Sequence, residues 1–302
     1  MTNPSPQPAA ASSRLMLLVA VLAFGTVGLL VRGIALPSHE VALYRAAIAL
    51  VVLSLIMART GRFALLRVHR AQLGRYALSG AVMACNWILL FEAYRHTSIA
   101  LATLAYYAAP TLMVLAGVLL LRERLSAWQL LCFAASTLGL VLMLGASGGQ
   151  PGDVKGALLG LASAVLYATV ITLNRASGAV DGILRTFVQF LAAVLVLLPF
   201  TWLRGGFHLG ALSPRGWVWL VTLGLVHTGI CYSMYFTAIP RLPGLQVAIM
   251  SYLDPLVAVL LSVLLLGEAI SPLQLVGGVI LLLGALLMDW PRLVKRPVRP
   301  GA

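Results

Sequence analysis

Long apolar runs alternate with short polar or glycine-rich connections along almost the whole chain. A run of about 20 apolar residues is long enough to cross the hydrocarbon core of a bilayer as an α-helix. The connections are too short to hold a soluble domain between the runs. The pattern therefore predicts an all-α integral membrane protein. Ten transmembrane helices are expected near residues 15–36, 38–58, 73–95, 98–121, 126–145, 156–174, 182–203, 215–239, 243–266 and 271–290.

The second half of the chain repeats the first at a constant offset of 145 residues. Pro110 and Glu123 recur as Pro255 and Glu268, since 255 − 110 = 145 and 268 − 123 = 145. The same ungapped offset matches further residues, among them Phe91 with Phe236, Tyr107 with Tyr252, Ser126 with Ser271 and Gly139 with Gly284. Five helices per half is an odd number, so the second half should enter the membrane upside down. The predicted fold is two inverted five-helix repeats.

The limits of the repeats define the expected domains. Residues 1–13 are rich in Pro, Ala and Ser and are predicted to form a disordered cytosolic tail. The first apolar run is too long for a secretory signal and lacks an A-x-A-like cleavage site, so we expect it to be retained. The remaining units are a first repeat over 14–145, a linker over 146–155, a second repeat over 156–290 and a basic cytosolic tail over 291–302.

Composition supports the membrane class, and charge predicts the orientation. The chain is 61% hydrophobic and 10% charged, with a net charge of +13. The basic residues do not cluster on one segment, which argues against a nucleic-acid partner. They fall mostly on the side of the N-terminus, where the positive-inside rule expects them. We therefore predict a multi-pass protein of the cell (inner) membrane with both termini cytoplasmic.

Cysteine spacing predicts neither a metal site nor a disulfide framework. Cys85, Cys132 and Cys231 all lie inside apolar runs, are odd in number and have no ligand-like spacing. No cofactor is expected.

Two matching motifs resemble a known transporter family. They read Phe91-Glu92-Ala93-Tyr94, Tyr107-Ala108-Ala109-Pro110 and Leu121-Arg122-Glu123-Arg124-Leu125-Ser126 in the first half, and Tyr235-Phe236-Thr237-Ala238, Ser251-Tyr252-Leu253-Asp254-Pro255 and Gly267-Glu268-Ala269-Ile270-Ser271 in the second. The pattern is similar to the EamA-type family of the drug/metabolite transporter superfamily. The resemblance implies ten helices in two inverted repeats, and transport of small metabolites, often outward, by alternating access. Phe24-Gly25 departs from the Trp-Gly of many relatives.

The two prolines indicate where a substrate cavity should lie. Pro110 and Pro255 interrupt the fourth and ninth predicted helices, and each frees a backbone carbonyl about one turn earlier. Interrupted backbone at membrane depth is tolerated where it lines a cavity. The predicted cavity residues are Trp87, Phe91, Tyr107, Pro110, Tyr232, Tyr252, Asp254 and Pro255.

Four ionisable residues inside the predicted spans are candidates for charge recognition or proton coupling: Arg45, Glu92, His227 and Asp254. Asp254 either contacts a substrate amine or a proton, or caps a helix that begins at Pro255. Arg45 either attracts a substrate carboxylate, forms an ion pair with Glu92 or reaches the membrane interface. His227 either titrates during transport or packs as a hydrogen-bonded histidine. Glu123 and Glu268 are expected to be loop residues outside the cavity.

The expected function is a secondary transporter that exports amino acids or related amphipathic compounds by alternating access. Its expected partners are a small-molecule substrate and the lipid bilayer, with possible proton coupling, in a monomer or a homodimer. A passive channel or facilitator is the alternative, because fold alone does not fix coupling. An intramembrane enzyme is disfavoured, since no H-E-x-x-H, G-x-S-x-G or paired-aspartate motif occurs in a span.

Overall fold

A computed structural model describes residues 8–109, 111–112, 126–145, 151–176, 181–242 and 244–288, and every regular element in those ranges is helical. The α-helices are α1 (Pro8–Phe24), α2 (Val27–Gly33), α3 (Ser38–Arg59), α4 (Ala64–Val68), α5 (Arg70–His96), α6 (Ile99–Tyr106), α7 (Ala127–Gly145), α8 (Pro151–Ala176), α9 (Gly182–Leu203), α10 (Pro214–Val221), α11 (Cys231–Ala238), α12 (Gly244–Ser251), α13 (Leu253–Leu266) and α14 (Pro272–Met288). A π-helical segment, Thr222–Ile230, joins α10 to α11, and 3₁₀ turns cover Leu209–Ala211 and Ile239–Arg241.

Six helical stretches of the described chain are long and apolar enough to span a bilayer. They are Ala11–Gly33, Ser38–Arg59, Arg70–His96, Gly152–Asn174, Gly182–Leu203 and Pro214–Ala238. Shorter apolar helices, Ala127–Met143, Leu253–Leu266 and Pro272–Leu287, fall in three more of the predicted spans. The predicted fourth span is described only at its beginning, by α6 and the residues directly after it. The prediction of an all-helical multi-pass protein is confirmed.

Three of the spans contain irregular backbone. The first is divided between α1 and α2 by a turn at Gly25 and Thr26. The eighth contains the π-helical segment, and the ninth is divided between α12 and α13 by a turn at Tyr252. The sequence predicted an interruption of the ninth span at Pro255, and the turn lies three residues earlier, at Tyr252. It predicted the first and eighth spans as single helices, because apolar runs do not reveal where backbone hydrogen bonds change register.

Helices from the two halves pack against each other in antiparallel pairs. In the pair α7 and α14, Trp128 Nε1 donates to the Leu287 carbonyl at 2.9 Å and Ser136 Oγ donates to the Leu281 carbonyl at 3.3 Å. Residue numbers rise along α7 while those of its partners fall along α14. The two helices, which are equivalent under the 145-residue offset, therefore run in opposite directions.

Three further pairs of helices, each with one helix from either half, also run antiparallel. Asn86 Nδ2 of α5 donates to the Ser163 carbonyl of α8 at 2.7 Å, while Ser79 Oγ lies 3.1 Å from Asn174 Oδ1. Helix α3 and the residues after it pack against α9, through His39 with Phe200 and Phe63 with Phe187. The α1–α2 span packs against the π-helical segment and α11, through Phe24 with Tyr232 and Thr26 with His227. If each helix is replaced by its equivalent in the other half, the same four helix pairs result.

Buried polar groups reinforce the packing between halves. Gln189 Nε2 of α9 donates to Ser79 Oγ of α5 at 2.8 Å and to Asn174 Oδ1 of α8 at 2.9 Å. Interhelical hydrogen bonds and small residues hold membrane helices together, because lipid supplies no hydrophobic driving force between helices. Leucine side chains on the opposite faces, such as Leu195 and Leu264, are exposed, as expected for surfaces that contact lipid.

The α7–α14 contact can be tested at Gly139. A Cβ atom added there would lie 2.5 Å from the Gly277 carbonyl oxygen and 2.6 Å from the Leu281 nitrogen, both rigid backbone atoms. We expect Gly139→Ala to lower the free energy of unfolding by about 1–3 kcal/mol, because the two backbones must separate. The control is Gly74→Ala on α5, where a Cβ meets nothing within 4 Å. This variant should leave the free energy of unfolding unchanged or raise it by up to about 1 kcal/mol. Denaturant unfolding in detergent measures both, and equal stabilities would contradict the close approach.

Candidate functional site

The interruptions of the first and ninth spans meet each other. Gly25, at the turn between α1 and α2, lies directly on the first turn of α13. A Cβ atom at Gly25 would be 2.6 Å from Val257 Cβ and 2.7 Å from the Asp254 carbonyl oxygen. Only glycine permits this approach, which places Asp254 beside the broken first span.

Asp254 contacts a residue of the other half. Helix α13 begins at Leu253, Tyr252 is its N-cap residue, and Asp254 lies within the first turn. The Asp254 carboxylate lies 2.7 Å from the Tyr107 hydroxyl, which is also 3.1 Å from the Ser251 carbonyl oxygen. The helix-cap interpretation of Asp254 is therefore wrong: the side chain accepts from a phenol across the interface between halves.

Tyrosines surround this hydrogen bond. The tyrosine cluster consists of Tyr106, Tyr107, Tyr167 and Tyr252, whose neighbouring ring centroids lie 5.4–6.1 Å apart. Tyr107 and Tyr252 are the pair related by the offset, and their rings meet at 6.0 Å. Pro255 is buried in the first turn of α13, whereas Pro110 lies outside the described residues.

A second group of rings lies against the tyrosine cluster. The aromatic cluster consists of Phe24, Trp87, Phe190, Tyr232, Tyr235 and Phe236, with ring centroids 5.1–5.9 Å apart. Most of the contacts are edge-to-face or tilted, the geometry that aromatic quadrupoles favour. Phe24 is followed by Gly25, which lies against the Asp254 carbonyl, and Asp254 binds Tyr107, so the two clusters adjoin. Together they bring Trp87, Tyr107, Tyr232, Tyr252 and Asp254 of the predicted cavity into one region.

Arg45 is a buried cation next to the aromatic cluster. Its side chain is 4% exposed, and its Nε donates to Thr228 Oγ1 of the π-helical segment at 3.1 Å. The guanidinium carbon lies 4.5 Å from the Trp87 ring centroid and 5.2 Å from that of Phe91. Phe91 is fully enclosed and packs against this cation. Placing a charged side chain at the centre of a membrane helix costs about 2.5–3.5 kcal/mol on insertion scales.

Two predictions for Arg45 are wrong. Glu92 does not pair with it; the Glu92 carboxylate accepts from Ser38 Oγ at 2.7 Å and lies 3.3 Å from His96 Nε2. Glu92 lines a separate surface cleft of about 650 Å³ near the connection between α2 and α3. Arg45 also does not extend to the interface, because its side chain is buried. Within the described ranges, no carboxylate lies within 4 Å of Arg45.

His227 connects the π-helical segment to the broken first span. Its Nε2 lies 2.7 Å from Thr26 Oγ1, and its Nδ1 lies 3.1 Å from the Thr222 carbonyl oxygen. Since a carbonyl can only accept, Nδ1 carries a proton. These bonds fit the packing interpretation, and a role of His227 in proton coupling stays a prediction.

An ion pair between the halves lies at one end of the bundle, and we call it the end clamp. Arg32 of α2 binds the carboxylate of Glu268, which follows α13, and donates through Nε to the Tyr94 carbonyl at 2.9 Å. Glu268 in turn accepts from the Ile99 amide at 3.0 Å and from the Ser262 hydroxyl. Glu268 is therefore outside the aromatic region, but it is more than a loop residue. Glu123, its counterpart, lies outside the described residues.

A model of the EamA-like transporter family matches residues 12–145 and 154–289. The chain belongs to the EamA-like transporter family. The resemblance stated from the sequence is confirmed, and the protein is a multi-pass membrane transporter.

Relatives agree with this assignment, and a solved structure shares the fold. An uncharacterized transporter of Bacillus subtilis, YxxF, is 26% identical over 277 residues, which cover 90% of this chain and 87% of the relative. The chloramphenicol-sensitive protein RarD of Pseudomonas aeruginosa is 28% identical over 233 residues, covering 75% of this chain and 74% of the relative. A solved crystal structure superposes with a TM-score of 0.63, covering 95% of this chain and all of the other, at 20% identity. That likeness shows the fold alone.

Several residues of the site escaped prediction from the sequence. Tyr106 directly precedes the predicted Tyr107, so adjacency was an available signal. Tyr235 and Phe236 stand in the repeated motif, which was an available signal for both. Phe190 and Tyr167 lie in ordinary apolar runs, where nothing distinguishes a site residue from a packing residue.

The Tyr107–Asp254 contact can be tested by removing one hydroxyl. Tyr107→Phe leaves the Asp254 carboxylate, 2.7 Å from the hydroxyl, without this donor, so we expect the free energy of unfolding to fall by about 1–3 kcal/mol. Tyr106→Phe is the matched control, because no hydrogen bond of the Tyr106 hydroxyl is seen in the described part of the chain. Denaturant unfolding in detergent compares the two variants, and equal losses would argue against a structural bond between the halves.

Proposed function

We propose that this EamA-family transporter is a secondary carrier that exports small amphipathic metabolites, such as amino acids, by alternating access. The observation that carries the proposal is the contact between Tyr107 and Asp254. It joins the two halves at an interrupted helix, among tyrosines. Transporters built from repeats place their substrate sites at such interfaces.

The proposed architecture is ten helices in two inverted repeats. Antiparallel packing of equivalent helices supports it, since α7 and α14 run in opposite directions. The remaining helix pairs also run antiparallel, and replacing each helix by its equivalent in the other half gives the same pairs. A two-fold axis in the membrane plane produces this pattern, whereas a parallel repeat would align equivalent helices in the same direction.

Alternating access requires contacts between the halves that can open at each end in turn. The end clamp, Arg32 with Glu268, closes one end of the bundle. At the other end Arg62 Nε of the first half lies 3.4 Å from Asp181 of the second. Both side chains of the Arg62–Asp181 pair are partly exposed, 32% and 29%, and a solvent-accessible pair contributes only about 0–1 kcal/mol, so this end can open at little cost. The end clamp is more enclosed, since the Glu268 side chain is 13% exposed.

The proposed site chemistry combines one acid with aromatic faces. The Asp254 carboxylate offers a partner for an ammonium group or a proton, and nearby rings such as Tyr107 and Tyr252 add cation–π attraction. The aromatic cluster provides apolar surface for the rest of the substrate. Such a site suits a small compound with one charged end and one apolar part.

Counterflow in proteoliposomes tests the carrier proposal. Vesicles containing the purified protein are preloaded with unlabelled amino acids, and entry of the labelled compound is followed at rising concentration. A carrier gives saturable uptake that depends on the internal load, because each turnover exchanges one bound molecule. Flux that rises without saturation and ignores the internal load would indicate a channel.

Proton coupling predicts a specific effect of Asp254→Asn. The amide keeps the shape of the side chain but cannot exchange a proton, so we expect export to become insensitive to an imposed pH gradient while counterflow persists. The control is Asp153→Asn, at the N-terminal end of α8, where Asp153 binds Thr97. This variant should retain the gradient dependence. Transport measured with and without a gradient checks both variants. Unchanged gradient dependence of Asp254→Asn at normal expression would remove Asp254 from coupling.

The inverted topology predicts which face of the membrane each connection occupies. Ala64 follows α3 and Gly210 follows α9, so the two positions lie in equivalent connections of the two halves, and both are exposed. Ala64→Cys and Gly210→Cys, each in a background without Cys85, Cys132 and Cys231, should react with an impermeant maleimide from opposite faces. If both termini are cytoplasmic, position 64 is labelled from the inside. Reaction of both from one face would overturn the inversion.

A further inference from the structure

Arg45 carries a positive charge that the described protein leaves without an anion. Its hydrogen-bonding neighbours are neutral hydroxyls: Nε donates to Thr228 Oγ1 at 3.1 Å, and the Tyr232 hydroxyl is the second. The rings of Trp87 and Phe91 cover faces of the guanidinium. A guanidinium has five N–H donors, so these neighbours orient the group while leaving donors for a further acceptor.

Packing alone does not explain a cation at this place. The 145-residue offset aligns α3 with α9 and sets Arg45 opposite Phe190, since 45 + 145 = 190. Phe190 packs 5.6 Å from Tyr232, the counterpart of Trp87, as Arg45 packs on Trp87. The second half thus fills the equivalent place with an apolar ring. A charge in the first half is therefore an addition to the packing, and buried charges are retained in membranes chiefly where they function.

The π-helical segment positions the cation. Thr228 Oγ1 donates to the Leu223 carbonyl at 2.7 Å, five residues back, and accepts from Arg45 Nε. Gly224 and Gly229 of the same segment lie tightly against Ile48 and Val52 of α3, which brings Thr228 next to Arg45. π-Helical turns occur frequently at functional sites because they redirect side chains that an α-helix would place elsewhere.

Arg45 and Asp254 face one region from opposite halves. Arg45 packs on Trp87 and Phe91, and Tyr106 belongs to the same core. The Tyr106 ring contacts that of Tyr107, which binds Asp254. The two charges are thus near the same tyrosines without neutralising each other. A molecule between them would meet a cation on the first half, a carboxylate on the second and aromatic rings around both.

We infer that Arg45 binds a carboxylate of the transported compound, with Thr228 as its positioning residue, so that the substrates are small amphipathic carboxylates. This inference rests on the proposed transport function and adds the chemical class of its substrate. Arginine suits the role because its planar fork pairs with a carboxylate through two parallel hydrogen bonds.

Binding of matched compounds to the purified full chain in detergent tests the inference. The probes are leucine, methionine and phenylalanine, their amides, which lack the carboxylate, and their deaminated acids, which keep it. Ligand-induced shifts of the unfolding temperature give the affinities. We expect the amino acids and the deaminated acids to bind at least about tenfold more tightly than the amides.

Substitution at Arg45 should remove this discrimination. In Arg45→Gln the affinity for acids is expected to fall to that for amides, while binding of the amides stays unchanged. Arg45→Lys keeps the charge but loses the fork and should fall between the two. If Arg45→Gln does not fold, Thr228→Val against Thr228→Ser provides the test: valine removes the oxygen that holds Arg45 Nε, whereas serine keeps it. Only the valine variant should lose affinity for acids.

The outcomes separate this inference from the proposed function. Equal binding of acids and amides by the unaltered protein, no binding of any acid, or an acid preference that survives Arg45→Gln and Thr228→Val would each overturn the role of Arg45. Saturable counterflow of compounds without a carboxylate would leave the carrier proposal standing while the inference fails. Absence of saturable flux despite selective, Arg45-dependent binding of acids would instead reject the carrier proposal alone.

Discussion

Antiparallel packing between the two halves is the constraint on which the rest of the structure depends. Helices α7 and α14 approach so closely at Gly139 that no side chain fits between their backbones. Other pairs of helices between the two halves are joined by hydrogen bonds of buried amides and hydroxyls, such as those of Asn86 with Ser163. In a bilayer these polar contacts and close approaches must do the work that hydrophobic burial does in water. They fix the relative position of the halves, and therefore bring the interruption in the ninth span against the break in the first.

Irregular backbone is concentrated where the halves meet. The turn at Gly25, the π-helical segment around Thr228 and the turn at Tyr252 all border the aromatic region. Backbone groups released from regular helix need partners from the protein at this depth. The Tyr107 hydroxyl beside the Ser251 carbonyl and Thr228 beside the Leu223 carbonyl provide such partners. The groups that complete the broken helices are thus the same ones that hold Asp254 and Arg45 in place.

The symmetric frame carries asymmetric chemistry. Arg45 corresponds to Phe190 and Asp254 to Ala109, so each charge occurs in one half only. The repeat places similar helices on the two sides of the aromatic region, and the two charges make those sides chemically different. The end clamp is separate from this region: Arg32 and Glu268 join the end of α2 to the end of α13.

The sequence by itself determined the class, the membrane segments and the repeat. Apolar length and the 145-residue offset are one-dimensional properties, so they can be seen without coordinates. It also predicted that Tyr107, Tyr252 and Asp254 belong to one site. Only the tertiary structure decided the partners: Asp254 with Tyr107 instead of a helix cap, and Arg45 with Thr228 and Trp87 instead of Glu92. Arg45 and Thr228 are 183 residues apart in the chain. Which buried charge meets which neighbour depends on the rotation and register of packed helices, and hydrophobic periodicity contains neither.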